Sequence, residues 1–151
     1  MAESAPQHEG CPDGFKACGL FIIPDQPYLA APSDGIFTGE CCGPSPLEVR
    51  CPYSVRFKNL HLKGVYKCIN FQNNATVVLK SSIHRYYTQK QAQMWVKGVD
   101  HDWFVVWTQR HKPLIERIAI SGEFCASRVN SITIFYKACV LPCHFAYRDL
   151  S

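Results

Sequence analysis

The 151-residue sequence has no apolar run approaching a membrane span. Its opening, MAESAPQHEG, is polar and carries no apolar core behind a basic start. Both absences lead us to expect an intracellular protein, nuclear or cytoplasmic, with no membrane contact. No glycine-rich phosphate loop is present, which argues against nucleoside triphosphate use. No Ser-His-Asp order and no Gly-flanked nucleophile supports acyl transfer. Internal repeats and low-complexity segments are missing too, so a solenoid or a linker-rich chain is not expected. No pair of CxxC knuckles occurs at zinc spacing, although cysteine itself is abundant.

Nine cysteines, an odd number without a secretory leader, fit a reduced chain whose thiols pack mostly as small hydrophobes. A small zinc-binding module is the rival reading. Cys41-Cys42 with Cys51 and Cys68, or Cys139 with Cys143 and His144, would each supply part of a site. The 47% hydrophobic and 13% aromatic content argues for a folded core. A net charge of +4 is compatible with a nucleic-acid partner without requiring one. Asn74-Ala75-Thr76 matches a glycosylation sequon, which has little meaning inside a cell.

The length fits one domain. We expect a poorly ordered segment over 1–18, a folded domain over 19–143 and a tail over 144–151. Gly19–Ile23 and Tyr28–Ala31 read as strand pieces around Pro24 and Pro27, Ser33-Asp34-Gly35 as a turn, and Ile36-Phe37 as a resumed strand. Gly39–Pro46, broken by Gly and Pro, reads as a loop, and Leu47–Arg50 as a strand ended by Cys51-Pro52. Ser54–Val65 is ambiguous. Lys67–Lys80 suggests a hairpin about Gln72-Asn73-Asn74. Tyr87, Gln91, Met94 and Trp95 recur at helical spacing, which predicts a helix over Arg85–Lys97 stopped by Gly98. Trp103–Thr108 and Leu114–Ile120 read as strands, the first of them central. Glu123–Val140 reads as a helix closed by Leu141-Pro142, and Trp103, Trp107 and this last helix are read as core. Strands and helices are mixed along the chain, so we expect an α/β fold with a mixed central sheet flanked by helices.

One constellation carries chemistry. Phosphodiester hydrolysis needs an activated water, neutralised charge at phosphorus and a stabilised leaving oxygen, and magnesium supplies much of this. Hard cations take carboxylates and backbone carbonyls. Asp34 in a turn, Glu48 on a strand and the carbonyl of Val49 form such a donor set. Arg50, two residues beyond Glu48, shares its sheet face. The competing reading is an ordinary hairpin with an Asp in its turn and a surface Glu/Arg pair.

The wider sequence favours the first reading. PYLAAPSDGI, LEVRCPYS, HRYYTQKQAQMW, DWFVVWT and FYKACVLP, in that order from Pro27 to Pro142, resemble the YqaJ-type viral recombinase family. That family is similar to the phage lambda type of 5′→3′ exonuclease, and both share the PD-(D/E)xK, restriction-endonuclease-like core. The resemblance implies a metal-dependent DNA exonuclease of viral-recombinase or mobile-element type. It implies magnesium as cofactor, with manganese as an alternative, and linear double-stranded DNA ends as partner. It also implies assembly as a homo-oligomer. Residue by residue, it assigns metal binding to Asp34, Glu48 and the Val49 carbonyl, and puts Arg50 where the family has its catalytic Lys. Gln89 and Gln91 match the family's helix glutamines, with Gln89 the better match. Two positions apart on a helix they point about 200° from one another, so one of them is expected at the centre.

Three departures accompany the resemblance. Pro32-Ser33-Asp34-Gly35 stands for Ser-Pro-Asp-Gly. Arg50 keeps charge but is not suited to act as a base. The family's N-terminal helical part, with a further acidic residue and a basic contact to the DNA end, has no counterpart in the polar start. The alternative reading is therefore a catalytically inactive or truncated nuclease-fold protein that only binds nucleic acid or a protein partner. Outside the constellation, His84 reads as a capping or surface histidine. Arg56, Lys58, His61, Lys63 and Lys67 form a basic stretch that fits a DNA backbone or a solvated loop equally well.

Overall fold

A computed structural model describes residues 14–39, 43–62, 64–72, 75–78 and 85–148. Strands dominate the first part: β1 (Phe15–Ala17), β2 (Leu20–Ile23), β3 (Gln26–Pro32), β4 (Gly35–Gly39) and β5 (Gly43–Arg50). A 3-10 turn at Tyr53–Val55 and the hairpin β6 (Ile69–Gln72) and β7 (Ala75–Val78) follow. Then come α1 (Arg85–Lys97), β8 (His101–Val106), β9 (Leu114–Ala119) and α2 (Gly122–Phe135). A π-helical turn, Tyr136–Val140, joins α2 to α3 (Leu141–Arg148).

The main sheet has five strands in the order β1-β4-β5-β8-β9, while β2–β3 and β6–β7 form separate two-stranded ribbons. Within it β5 and β8 are parallel, Glu48 lying level with Phe104, and the other pairs are antiparallel. Parallel neighbours need a crossover, and α1 lies on that crossover in the sequence. The result is the mixed α/β architecture with a mixed sheet.

Strand alternation sorts the side chains. The registers put Glu48, Arg50, Asp102, Phe104, Val106, Leu114 and Ile118 on one face of the sheet. Phe104, Val106, Leu114 and Ile118 form the core there with Met94 of α1 and with Leu60 and Val55. Leu47, Val49, Val105 and Ile115 fall on the other face and are partly or largely exposed. Gly98 ends α1 with φ 70°, a left-handed conformation that side-chain-bearing residues rarely adopt.

Several expectations are corrected. Gly43–Pro46, read as loop, is the first half of β5. By strand alternation, Pro44 and Pro46 turn their nitrogens away from β4, so neither removes a donor from that ladder. Pro142 does not close the last helix. It is the second residue of α3, directly after the π-helical turn, and the helix runs on through it to Arg148. The sheet begins at Phe15, ahead of the boundary at 19, and α3 continues past 143 to Arg148. Trp107 is exposed, as are Ile134, Phe135 and Phe145 of the C-terminal helices, so this part is not core. Of the described cysteines, all are free; Cys68 and Cys125 are buried while Cys51, Cys139 and Cys143 are exposed. Cys41, Cys42, His84 and the tip of the 67–80 hairpin lie outside the described residues.

Candidate functional site at the end of the parallel pair

The site grows from the point where β4 stops pairing with β5. Their register ends at Gly35 opposite Leu47, which leaves the Val49 N–H without a strand partner on that side. The Asp34 carboxylate takes it, Oδ2 accepting from Val49 N at 2.9 Å. Ser33 holds the turn in place by donating from Oγ to the carbonyls of Gly35 (3.0 Å) and Leu47 (3.2 Å). The N–H and C=O of one strand residue leave on the same side, so the Val49 carbonyl shares this open edge with Asp34.

Glu48 points the other way, under α1, and is buried. Its charge is met on every side. Gln89 Nε2 donates to Oε1 at 3.0 Å, Gln93 Nε2 donates to Oε2 at 3.0 Å, and the Arg50 guanidinium pairs with Oε1. Arg50 is itself fixed, donating from Nη2 to Gln89 Oε1 at 3.0 Å and lying over the Tyr86 ring, 4.8 Å from its centroid. Residues four apart on a helix share a face, which is why Gln89 and Gln93 reach one carboxylate together. Gln93 also donates to the Pro32 carbonyl and so ties α1 to β3.

The structure therefore gathers Glu48, Arg50 and Gln89, with Asp34 and Val49 one residue along the strand. Gln91 does not join them. Its Nε2 donates to the Ala119 carbonyl at 2.9 Å and its Oε1 accepts from Ser121 N at 2.7 Å, so it anchors the start of α2. Gln89→Ala is expected to lower turnover with little loss of stability. Gln91→Ala should cost about 1 kcal/mol of stability, because it removes the partners of the part-buried Ala119 carbonyl and Ser121 N–H, and leave turnover intact. Initial rates beside urea denaturation separate the two.

Two groups escaped the sequence reading. Gln93 needed only the four-residue step from Gln89. Lys90 lies four residues after Tyr86 and four before the core residue Met94, so its stripe already marked it as buried. It is 1% exposed, and Nζ donates to Asp102 Oδ1 at 2.8 Å and to the Trp103 carbonyl at 3.1 Å. Burial pulls the Lys90 ammonium below the usual lysine range, against the pull of Asp102, with Glu48 and Asp34 also close enough to be felt. Burial likewise pushes Asp102 up to about 7, with Lys90 opposing. The second oxygen of Asp102, Oδ2, has no hydrogen-bond partner among the described residues.

The fold also brings a serine, a histidine and an aspartate into line. Ser45 Oγ and His101 Nε2 are 2.6 Å apart, and His101 Nδ1 and Asp100 Oδ1 2.5 Å. Ser45 is 0% exposed in the middle of β5 between two prolines, so no carbonyl substrate reaches it. The relay clamps the start of β8 against β5.

Among the described residues no group of three or more His, Cys, Asp or Glu side chains is placed to hold a metal. What the site offers is two carboxylates and a strand carbonyl, all hard oxygen donors, with a guanidinium beside them. Acidic and basic groups thus converge at the end of the parallel β5–β8 pair. The model of the YqaJ-like viral recombinase domain matches residues 15–100, and the chain belongs to that family. It is a recombination-related nuclease family, which implies interaction with DNA. No curated protein matches the chain, and no solved structure does.

Proposed function

We propose that this chain is a metal-dependent DNA exonuclease with a PD-(D/E)xK-type core, acting on linear double-stranded ends inside the cell and working as a homo-oligomer. The observation that carries the reading is Glu48, buried yet fully hydrogen-bonded by Gln89, Gln93 and Arg50, beside the Asp34–Val49 edge. The donor set suits magnesium, or manganese, because such ions bind through one or two carboxylates and keep the rest of their shell for water and phosphate oxygens. Asp34, Glu48 and the Val49 carbonyl would hold the ion, which when bound supplies a more acidic water and neutralises charge at phosphorus.

The chain's own groups do the rest. Arg50 presents a permanent cation to the phosphate, held in position by Gln89 and Tyr86. Gln89, bridging Glu48 and Arg50, orients both. The two helix glutamines fix the Glu48 carboxylate beneath α1.

The test is degradation of end-labelled linear duplex DNA with magnesium, with chelator and with manganese, beside sedimentation for the oligomer. Degradation that stops in chelator supports the proposal, and Arg50→Lys is then expected to keep activity within about tenfold while Arg50→Ala loses about 10²-fold or more. One observation favours a second reading: Arg50 already neutralises Glu48, as in a site that binds DNA without cutting it. Tight binding of duplex with no cleavage under any divalent ion would establish that reading instead.

A further inference from the structure

Nine of the sixteen Lys and Arg residues, and none of the twelve Asp and Glu residues, fall between Glu48 and Asp100. The segment that leaves the site is therefore purely basic. It opens with aromatic residues that fold does not bury: Tyr53 is 75% exposed and Phe57 49%. Arg56 is inserted between them, its Cζ 3.7 Å from the Tyr53 ring centroid and 4.6 Å from that of Phe57. Arg110, from the loop after β8, lies 5.3 Å from the Phe57 ring. The Arg56 guanidinium donates from Nη1 to the Tyr53 carbonyl at 2.9 Å, and the Arg56 backbone carbonyl accepts from Gln109 N at 2.9 Å. The two parallel strands thus both run into this cluster. β5 reaches it three residues after Arg50, and β8 through Gln109 and Arg110.

Exposed aromatic rings interleaved with arginines are what unpaired bases stack on. A duplex hides its base faces and offers such a surface only phosphates. We infer that Tyr53, Arg56, Phe57 and Arg110 form a stacking platform for single-stranded DNA leaving or entering the site. The inference deepens the nuclease reading and rests on it for the identity of the polymer. On this platform two bases lie against the Tyr53 and Phe57 rings, while Arg56 and Arg110 meet the backbone. The platform therefore favours substrates with an unpaired end over blunt ones.

The test uses the full chain in chelator, so that binding is read apart from cleavage, with fluorescein-labelled oligo-dT and a blunt duplex of equal length measured by anisotropy. Tyr53→Ala and Phe57→Ala are each expected to weaken oligo-dT binding about tenfold, with duplex binding changed less than twofold and Tyr53→Phe close to wild type. Arg56→Gln should reduce the salt slope of binding by about one. Tyr53 and Phe57 are both substantially exposed, so the variants keep the fold, which thermal denaturation verifies. Equal loss for both polymers, no loss for either, or no binding of oligo-dT by the wild type would each overturn the platform. A platform that binds in a protein that cuts nothing would refute the nuclease proposal alone. Cleavage that is untouched by the ring variants, with unchanged oligo-dT binding, would refute the platform alone.

Discussion

Glu48→Gln is expected to reduce magnesium-dependent degradation of linear duplex DNA by on the order of 10³-fold or more. The side chain keeps its size and loses its charge. An ion held by two carboxylates would then be held by one, and several kcal/mol of charge stabilisation at about 1.4 kcal/mol per tenfold gives that magnitude. The substitution also touches stability. Glu48 accepts from Gln89, Gln93 and Arg50, and an amide in its place turns one acceptor into a donor facing donors. That mismatch costs about 1–3 kcal/mol. Denaturant unfolding and circular dichroism, run beside the activity assay, show whether the lost activity exceeds what unfolding explains. Asp34→Asn should behave similarly in activity with a smaller stability cost, because Asp34 is exposed and its amide oxygen still accepts from Val49 N. A folded Glu48→Gln protein that degrades DNA within tenfold of wild type would remove Glu48 from the chemistry.

The second large effect concerns Lys90 and Asp102, a salt bridge 2.8 Å long with both side chains essentially out of water. Lys90→Met alone is expected to cost about 3–5 kcal/mol, because it leaves a buried carboxylate whose Oδ2 is already unpartnered. Combining it with Asp102→Leu should recover that loss and end neutral or about 1–4 kcal/mol more stable than wild type, since neither charge is then desolvated. The pH dependence has a definite sign. Asp102 is raised in the folded state, so its contribution is present below the ordinary carboxylate range and is lost as pH rises through about 7. Lys90 is lowered, so its contribution is present above the ordinary lysine range and is lost as pH falls through its depressed value. Both make the pair costliest near neutrality. Wild type should therefore lose stability relative to the double variant between pH 4 and pH 7. Urea midpoints across that range decide it, and a flat difference between the two proteins would contradict the assignment.

The sequence was most legible where one period governed a segment. α1 spans the same residues that the helical spacing marks, because Tyr87, Gln91 and Met94 repeat at its pitch and Gly98 supplies the left-handed stop. β9 and the β6–β7 hairpin were readable from apolar alternation and turn residues. β5 was half hidden. Pro44 and Pro46 look like loop markers in isolation, and only a partner strand on one side makes them harmless. The last helices misled for the opposite reason. Their apolar content suggested core, yet the sheet's helix-covered face is already occupied by α1, and Phe135 and Phe145 remain outside.

By itself the sequence carried the helix and the candidates Asp34, Glu48, Val49 and Arg50, which are local matters of helical spacing, turn chemistry and strand alternation, and it carried the family resemblance, which alone singled out Gln89. Tertiary structure decided the rest. It separated Gln89 from Gln91 by placing Glu48 on one side of α1 and α2 on the other. It brought Gln93 to the same carboxylate, sealed Lys90 against Asp102 from a strand a dozen residues away, and seated Arg110 beside Phe57. Those contacts depend on which strands lie next to one another, and strand order is set by the burial of a whole sheet face rather than by any short stretch of chain.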